Sequence, residues 1–137
     1  MHICLGGPPR IGDIAELLYT SIRVRDLKKS LPFYTKKLGM KVVGRKSYMP
    51  GQTVVTLESS DTKQSMRLMH YTAGCKLYTP YKLEGVELDH LTFKVPDAKK
   101  LFTKLVKAGA AVASPIWEND DIAIGYVKDP DHIRVGS

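Results

Sequence analysis

The sequence predicts an α+β fold of two βαβββ modules related by a pseudo-dyad, with curved mixed sheets forming an open cleft and the helices outside. Three observations carry this prediction. The chain repeats itself: Tyr19 to Lys29 and His90 to Lys100 align without a gap at an offset of 71 residues, with Val24 and Val95, Asp26 and Asp97 and both lysine pairs identical. Each copy reads as a strand, a helix cap and an amphipathic helix, and is followed by a glycine (Gly39, Gly109) and a further apolar strand. At 137 residues with 43% hydrophobic content, the chain has the size and core of one domain, so its modules are halves that share a cleft.

The elements follow from periodicity and punctuation. Tyr19 to Val24 reads as a strand, and Asp26 caps a helix whose Leu27, Leu31, Tyr34 and Leu38 recur at helical spacing up to Gly39. Pro32 is expected to kink or restart that helix, because proline lacks the amide proton and crowds the preceding turn. Met40 to Lys46, Thr53 to Glu58 and Ser65 to Tyr71 read as strands, separated by the Pro50-Gly51 turn and a polar segment at 59–62. In the second module, strand Asp89 to Val95 and cap Asp97 precede a helix with Ala98, Leu101, Phe102, Leu105 and Ala108 inward. Strands Ala110 to Ala113, Ile122 to Val127 and His132 to Val135 follow. The resulting division is a flexible extension over 1–16, a first module over 17–74, a linker over 75–87 and a second module over 88–137, with 17–137 forming one domain.

Composition narrows the function. No run approaches the roughly 20 apolar residues of a membrane span, and residues 1–16 lack the apolar core of a secretory signal. Cys4 and Cys75 have no zinc-binding spacing and read as free thiols of a cytoplasmic protein. The net charge of +7 comes largely from lysines on the two helices, away from their apolar stripes, and no basic run is interleaved with aromatics. The charge therefore points to an anionic small molecule rather than to nucleic acid.

Tyr19-Thr-Ser-Ile-Arg-Val-Arg-Asp-Leu-Lys-Lys-Ser-Leu-Pro-Phe-Tyr-Thr-Lys-Lys-Leu-Gly-Met-Lys-Val resembles the opening of the glyoxalase I branch of the vicinal oxygen chelate superfamily, which includes bleomycin-resistance proteins and extradiol dioxygenases. Asp89-His-Leu-Thr-Phe-Lys-Val and Val127-Lys-Asp-Pro-Asp-His132 resemble its second-module phrases. The resemblance implies a cleft holding one divalent ion (zinc, nickel or iron), with a His or Gln on the first strand and a Glu on the last strand of each module. Such an ion stabilises an enediolate while a base moves the proton.

Carried over residue by residue, the first-strand positions are Tyr19 and His90. The last-strand positions are Gly136 and, depending on register, Leu68 or Met69. Only His90 is an ordinary ligand, and it is the catalytic candidate. His70 joins it in the cleft in one register of its strand and points away in the other. Arg23 matches a position where related sequences place an arginine near substrate, which makes Tyr19, Arg23, His70 and His90 the expected ligand-binding set. Tyr71, Tyr78, Tyr81 and Trp117 are candidates for an apolar wall or a dimer contact, His132 for a turn residue in place of glycine, and the acidic 118–121 loop for a hairpin turn.

Two readings stay open. One is a homodimeric binding protein for a small molecule, with most ligand positions substituted. The other is an active lyase or isomerase related to lactoylglutathione lyase, using His90 and non-standard ligands.

Overall fold

The structure, a computed structural model, describes residues 17–83, 85 and 88–136. The extension expected over 1–16, with Cys4, lies outside the described residues, as do Glu84, Val86 and Glu87 of the expected linker and Ser137.

The first module runs β1 (Thr20–Arg23), α1 (Leu27–Pro32), β2 (Lys41–Lys46), β3 (Gln52–Glu58) and β4 (Ser65–Tyr71). The second runs β5 (Leu91–Thr92), α2 (Ala98–Lys107), β6 (Val112–Glu118), β7 (Ala123–Lys128) and β8 (Arg134–Gly136). The two sheets have strand orders β1-β4-β3-β2 and β5-β8-β7-β6. In each, the first strand pairs in parallel with the last and the other neighbours are antiparallel, so the mixed βαβββ unit occurs twice. The repeated aspartates act as expected: Asp26 accepts the Lys28 amide at 2.9 Å and Asp97 the Lys100 amide at 3.0 Å.

Several boundaries differ from expectation, each for a physical reason. Pro32 closes the α-helical part, and the chain continues from Phe33 to Lys37 as a π-helical segment, a looser winding that bypasses the amide proton proline lacks. The strand expected to stop at Ala113 runs to Glu118 through Pro115. β6 is an edge strand with an irregular register, where a missing donor is tolerated. The strand expected over Asp89 to Val95 pairs only at Leu91 and Thr92, because β8 offers three residues; Phe93 adds one amide bond to the Gly136 carbonyl at 2.7 Å.

The core lies on one face of the first sheet, where Ile22, Val55, Leu57, Met66 and Leu68 meet Phe33 and Tyr34, and it is continuous with Leu105, Val127 and Val135 of the second module. A polar seam joins the modules beside it. The Tyr34 hydroxyl donates to Asp129 Oδ2 at 2.8 Å, and the Ser30 hydroxyl to Asp131 Oδ2 at 3.2 Å. The Arg25 amide and Nε both donate to Asp131 Oδ1 at 2.9 Å, and Nη2 donates to the Pro130 carbonyl at 2.7 Å. Ser30, Tyr34, Asp129 and Asp131 are all buried, so α1 is clamped between its own sheet and the 129–131 turn.

Candidate functional site

Strand alternation assigns the faces. Ile22 and Leu68 are paired neighbours in the core, so the opposite face of the first sheet carries Tyr19, Ser21 and Arg23 from the β1 segment and Arg67, Met69 and Tyr71 from β4. Two ring contacts agree with this assignment: the Arg67 guanidinium lies 4.0 Å from the Tyr19 ring centre, and that of Arg23 lies 5.3 Å from Tyr71. His70 lies on the face of Leu68. The structure thus selects the register in which His70 points away, and it separates His70 from Tyr19 and Arg23.

The repeat also fixes which residues correspond. Ser21 pairs with Arg67 and Thr92 pairs with Gly136, and Ser21 and Thr92 are equivalent in the repeat. The first-module counterpart of Gly136 is therefore Arg67, and the expectation of Leu68 or Met69 is corrected. A slip of one residue reverses every side chain of a strand, and the polar segment before Ser65 carries no pattern that specifies its register.

In the second sheet the equivalent face carries His90, Thr92, Tyr126 and Gly136. His90 Nδ1 donates to Asp89 Oδ1 at 2.6 Å, and its ring meets Tyr126 edge-on, with centres 5.1 Å apart. A carboxylate only accepts, so in the neutral ring the proton sits on Nδ1 and the lone pair on Nε2. The same hydrogen bond holds the Asp89 carboxyl below its usual range, and the His90 charge adds to the effect. A Cβ at Gly136 would stand 2.4 Å from Tyr126 Cδ1, so the tyrosine ring fills the place of any side chain there.

The two halves are thus built alike with different occupants. In the first, the Tyr19 ring rests against Arg67 of the adjacent strand β4; in the second, the His90 ring meets Tyr126 of β7, one strand further on, across Gly136 of β8. A divalent ion does not fit this donor set: one position is a guanidinium, another is covered by a phenol ring, and His90 is the one good donor. No three His, Cys, Asp or Glu residues are grouped to hold a metal among the described residues.

A cleft of about 570 Å³ opens between β1 and the 128–134 stretch. Arg23, Tyr81, Lys82, His132 and Arg134 line it, as does Asp131, which is paired with Arg25. Of the four expected ligand-binding residues it includes only Arg23; Tyr19, His70 and His90 are not in its lining. Arg23 donates to the Thr79 hydroxyl at 2.8 Å and to the Thr79 carbonyl, with Tyr71, Tyr78 and Tyr81 around its guanidinium. The linker segment thereby folds back over β1, and the Tyr81 hydroxyl donates to the Arg23 carbonyl at 3.3 Å. Burial, aided by the charges of Asp131 and Asp129, pushes the Tyr81 phenol up to about 12. Trp117 stands apart on the edge strand β6, 58% exposed. His132 has φ of +66°, the left-handed conformation expected of a residue in a glycine's place.

Residues 16–136 match the family described as the Glyoxalase/Bleomycin resistance protein/Dioxygenase superfamily. The chain belongs to this superfamily. It is 30% identical over 122 residues to a lactoylglutathione lyase of Neisseria meningitidis, covering 87% of this chain and 86% of the relative. It is likewise 30% identical over 125 residues to a lactoylglutathione lyase of Escherichia coli O157:H7, covering 87% and 88%. Among solved structures, a trypanothione-dependent glyoxalase I of Leishmania major superposes with a TM-score of 0.71 at 28% identity, over 90% of this chain and 85% of that one. The superfamily, the α+β class and the module repeat expected from the sequence are thereby established. No helix among the described residues is long and apolar enough to cross a membrane.

Sequence reasoning missed Arg67 and Tyr126. Arg67 had a readable signal, a lone charge alternating with Met66 and Leu68 in an apolar strand. Tyr126 had none, because its role depends on a cross-strand partner.

Proposed function

We propose that this chain is a glyoxalase-like binding protein, a cytoplasmic homodimer that holds a small anionic or aromatic ligand between its modules without a metal. The observation that carries this reading is the pair of substitutions at equivalent positions: Arg67 in one half, and Gly136 under the Tyr126 ring in the other. Glyoxalase chemistry needs an electrophile for the developing enediolate and a base for the proton. A fixed guanidinium repels a divalent ion, and a phenol ring leaves no room for a carboxylate ligand. The cations lining the cleft suit an anion.

A second reading is supported by the Asp89–His90 pair, which leaves Nε2 as an oriented base, and by the relatives named lactoylglutathione lyase. One experiment separates them. Protein purified without chelators is analysed for zinc, nickel and iron and assayed with the methylglyoxal–glutathione hemithioacetal. The binding reading expects far less than one metal per chain and weak or absent turnover. Stoichiometric metal and robust metal-stimulated turnover, both lost in His90→Ala, would establish the lyase instead.

A further inference from the structure

We infer that Arg67 is the anchor of an oxyanion receptor, built with Tyr19 and the hydroxyl residues Ser21 and Thr56, which takes a carboxylate or phosphoryl group of the ligand. The inference rests on the metal-free binding reading above and names its ligand class.

Arg67 lies on β4, the second strand in the sheet, between its register partners Ser21 on β1 and Thr56 on β3, so both hydroxyls share its face. Beyond Thr56 the next strand presents Gly44, which has no side chain to cover that floor. The guanidinium carbon lies over the Tyr19 ring, 4.0 Å from its centre, so the ring covers one side of the cation.

Nothing in the described chain neutralises this cation. Its Nε is buried without a hydrogen-bond partner, and no described carboxylate pairs with it. The acid on the same face, Glu58, is engaged with Lys63 at 3.4 Å. A buried guanidinium donor without an acceptor is costly in a folded protein unless a ligand supplies the acceptor. Carboxylate and phosphate both match the fork with two oxygens, and the flanking hydroxyls offer further donors. Ser21 also lines the inter-module cleft, so an anion on Arg67 stands at the edge of the space available to the rest of a ligand.

The test follows the Arg67 Nε–H resonance by NMR in the full chain during titration with benzoate, inorganic phosphate and the neutral isostere benzamide. The receptor predicts a saturable shift with benzoate, with phosphate or with both, which identifies the source of the oxyanion. It predicts none with benzamide. Arg67→Met should weaken binding of the responding anion at least tenfold, and Arg67→Lys should lose less. Equal shifts with benzamide, no shift with either anion, or undiminished affinity in Arg67→Met would overturn the inference. The wild-type comparison stands even where Arg67→Met fails to fold. Anion-induced shifts at Arg23 and Arg134 with Arg67 unmoved would refute the receptor while leaving the binding function intact. Stoichiometric metal would refute that function separately.

Discussion

The Tyr126 ring lies across Gly136, its direct partner between β7 and β8, so closely that a Cβ on the glycine would stand 2.4 Å from both Cδ1 and Cε1. Gly136→Ala is therefore expected to destabilise the protein by about 1–3 kcal/mol through overpacking. In a Tyr126→Ala background the same change should cost less without becoming neutral, because the Gly125 carbonyl oxygen would still stand 2.7 Å from the new Cβ. Urea unfolding of the four proteins of that cycle checks the coupling; additive effects would show that the ring swings aside freely.

Tyr34→Phe removes the donor to the buried Asp129 Oδ2 and should cost about 1–3 kcal/mol at neutral pH. Burial first, then the neighbouring Asp129, raises the Tyr34 phenol well above its ordinary value. Folding therefore strengthens the hold on that proton. The contribution is complete below about pH 10, the unfolded value, and is lost as pH climbs through the higher native one. Wild-type stability should fall on that alkaline limb more steeply than that of the variant, as measured by denaturant midpoints across pH.

Burial also raises the Asp129 carboxyl, against the hydrogen bonds that it accepts from Tyr34 and the Ile133 and Asp131 amides. The sign is the same: its contribution is complete below the unfolded value of about 3.9 and declines as pH rises through the raised native value. Asp129→Asn keeps an oxygen for the two amides and has no charge to bury. Relative to wild type, the variant should gain stability as pH rises from 3 to 7; a flat difference would mean that the charge is not held against burial.

Arg23→Met should release the segment around Thr79, whose hydroxyl and carbonyl it binds while three tyrosines surround it. Faster amide hydrogen exchange over 78–83, with the β3 and β4 amides unchanged, is the expected pattern. Protection that persists would assign the segment's order to its tyrosines alone.

Ultraviolet titration should find one phenol near pH 12 that disappears in Tyr81→Phe, since burial and the seam carboxylates raise it. Asp131→Asn should move it downward. A Tyr81 that titrates near pH 10 would place its ring in water.

What could be read from the sequence was local. The equivalence of Tyr19 and His90 is written in a contiguous repeat, and both helix caps are set by aspartates next to the residues they bond. Arg67 was lost to register, because the 59–64 turn gives no count of which residue meets Ser21. Tyr126 over Gly136 depends on pairing across a hairpin whose first strand contains Pro115 and irregular steps. The seam of Arg25, Ser30 and Tyr34 with residues 129–131 joins positions 95 to 106 residues apart, and no periodicity reports a contact at that range.

That seam has a consequence for the order of folding. During synthesis the first helix emerges long before the acidic turn that accepts its two buried hydroxyls. Until residues 129–131 arrive, the Ser30 and Tyr34 hydroxyls lack the carboxylate acceptors they have in the folded chain. Contacts of such sequence separation close slowly, because loop entropy is spent before they form. Docking of the last turn onto the first helical segment is accordingly expected late in folding; Asp131→Ala should then speed unfolding and leave the refolding rate nearly unchanged, and slowed refolding would place the seam in the transition state.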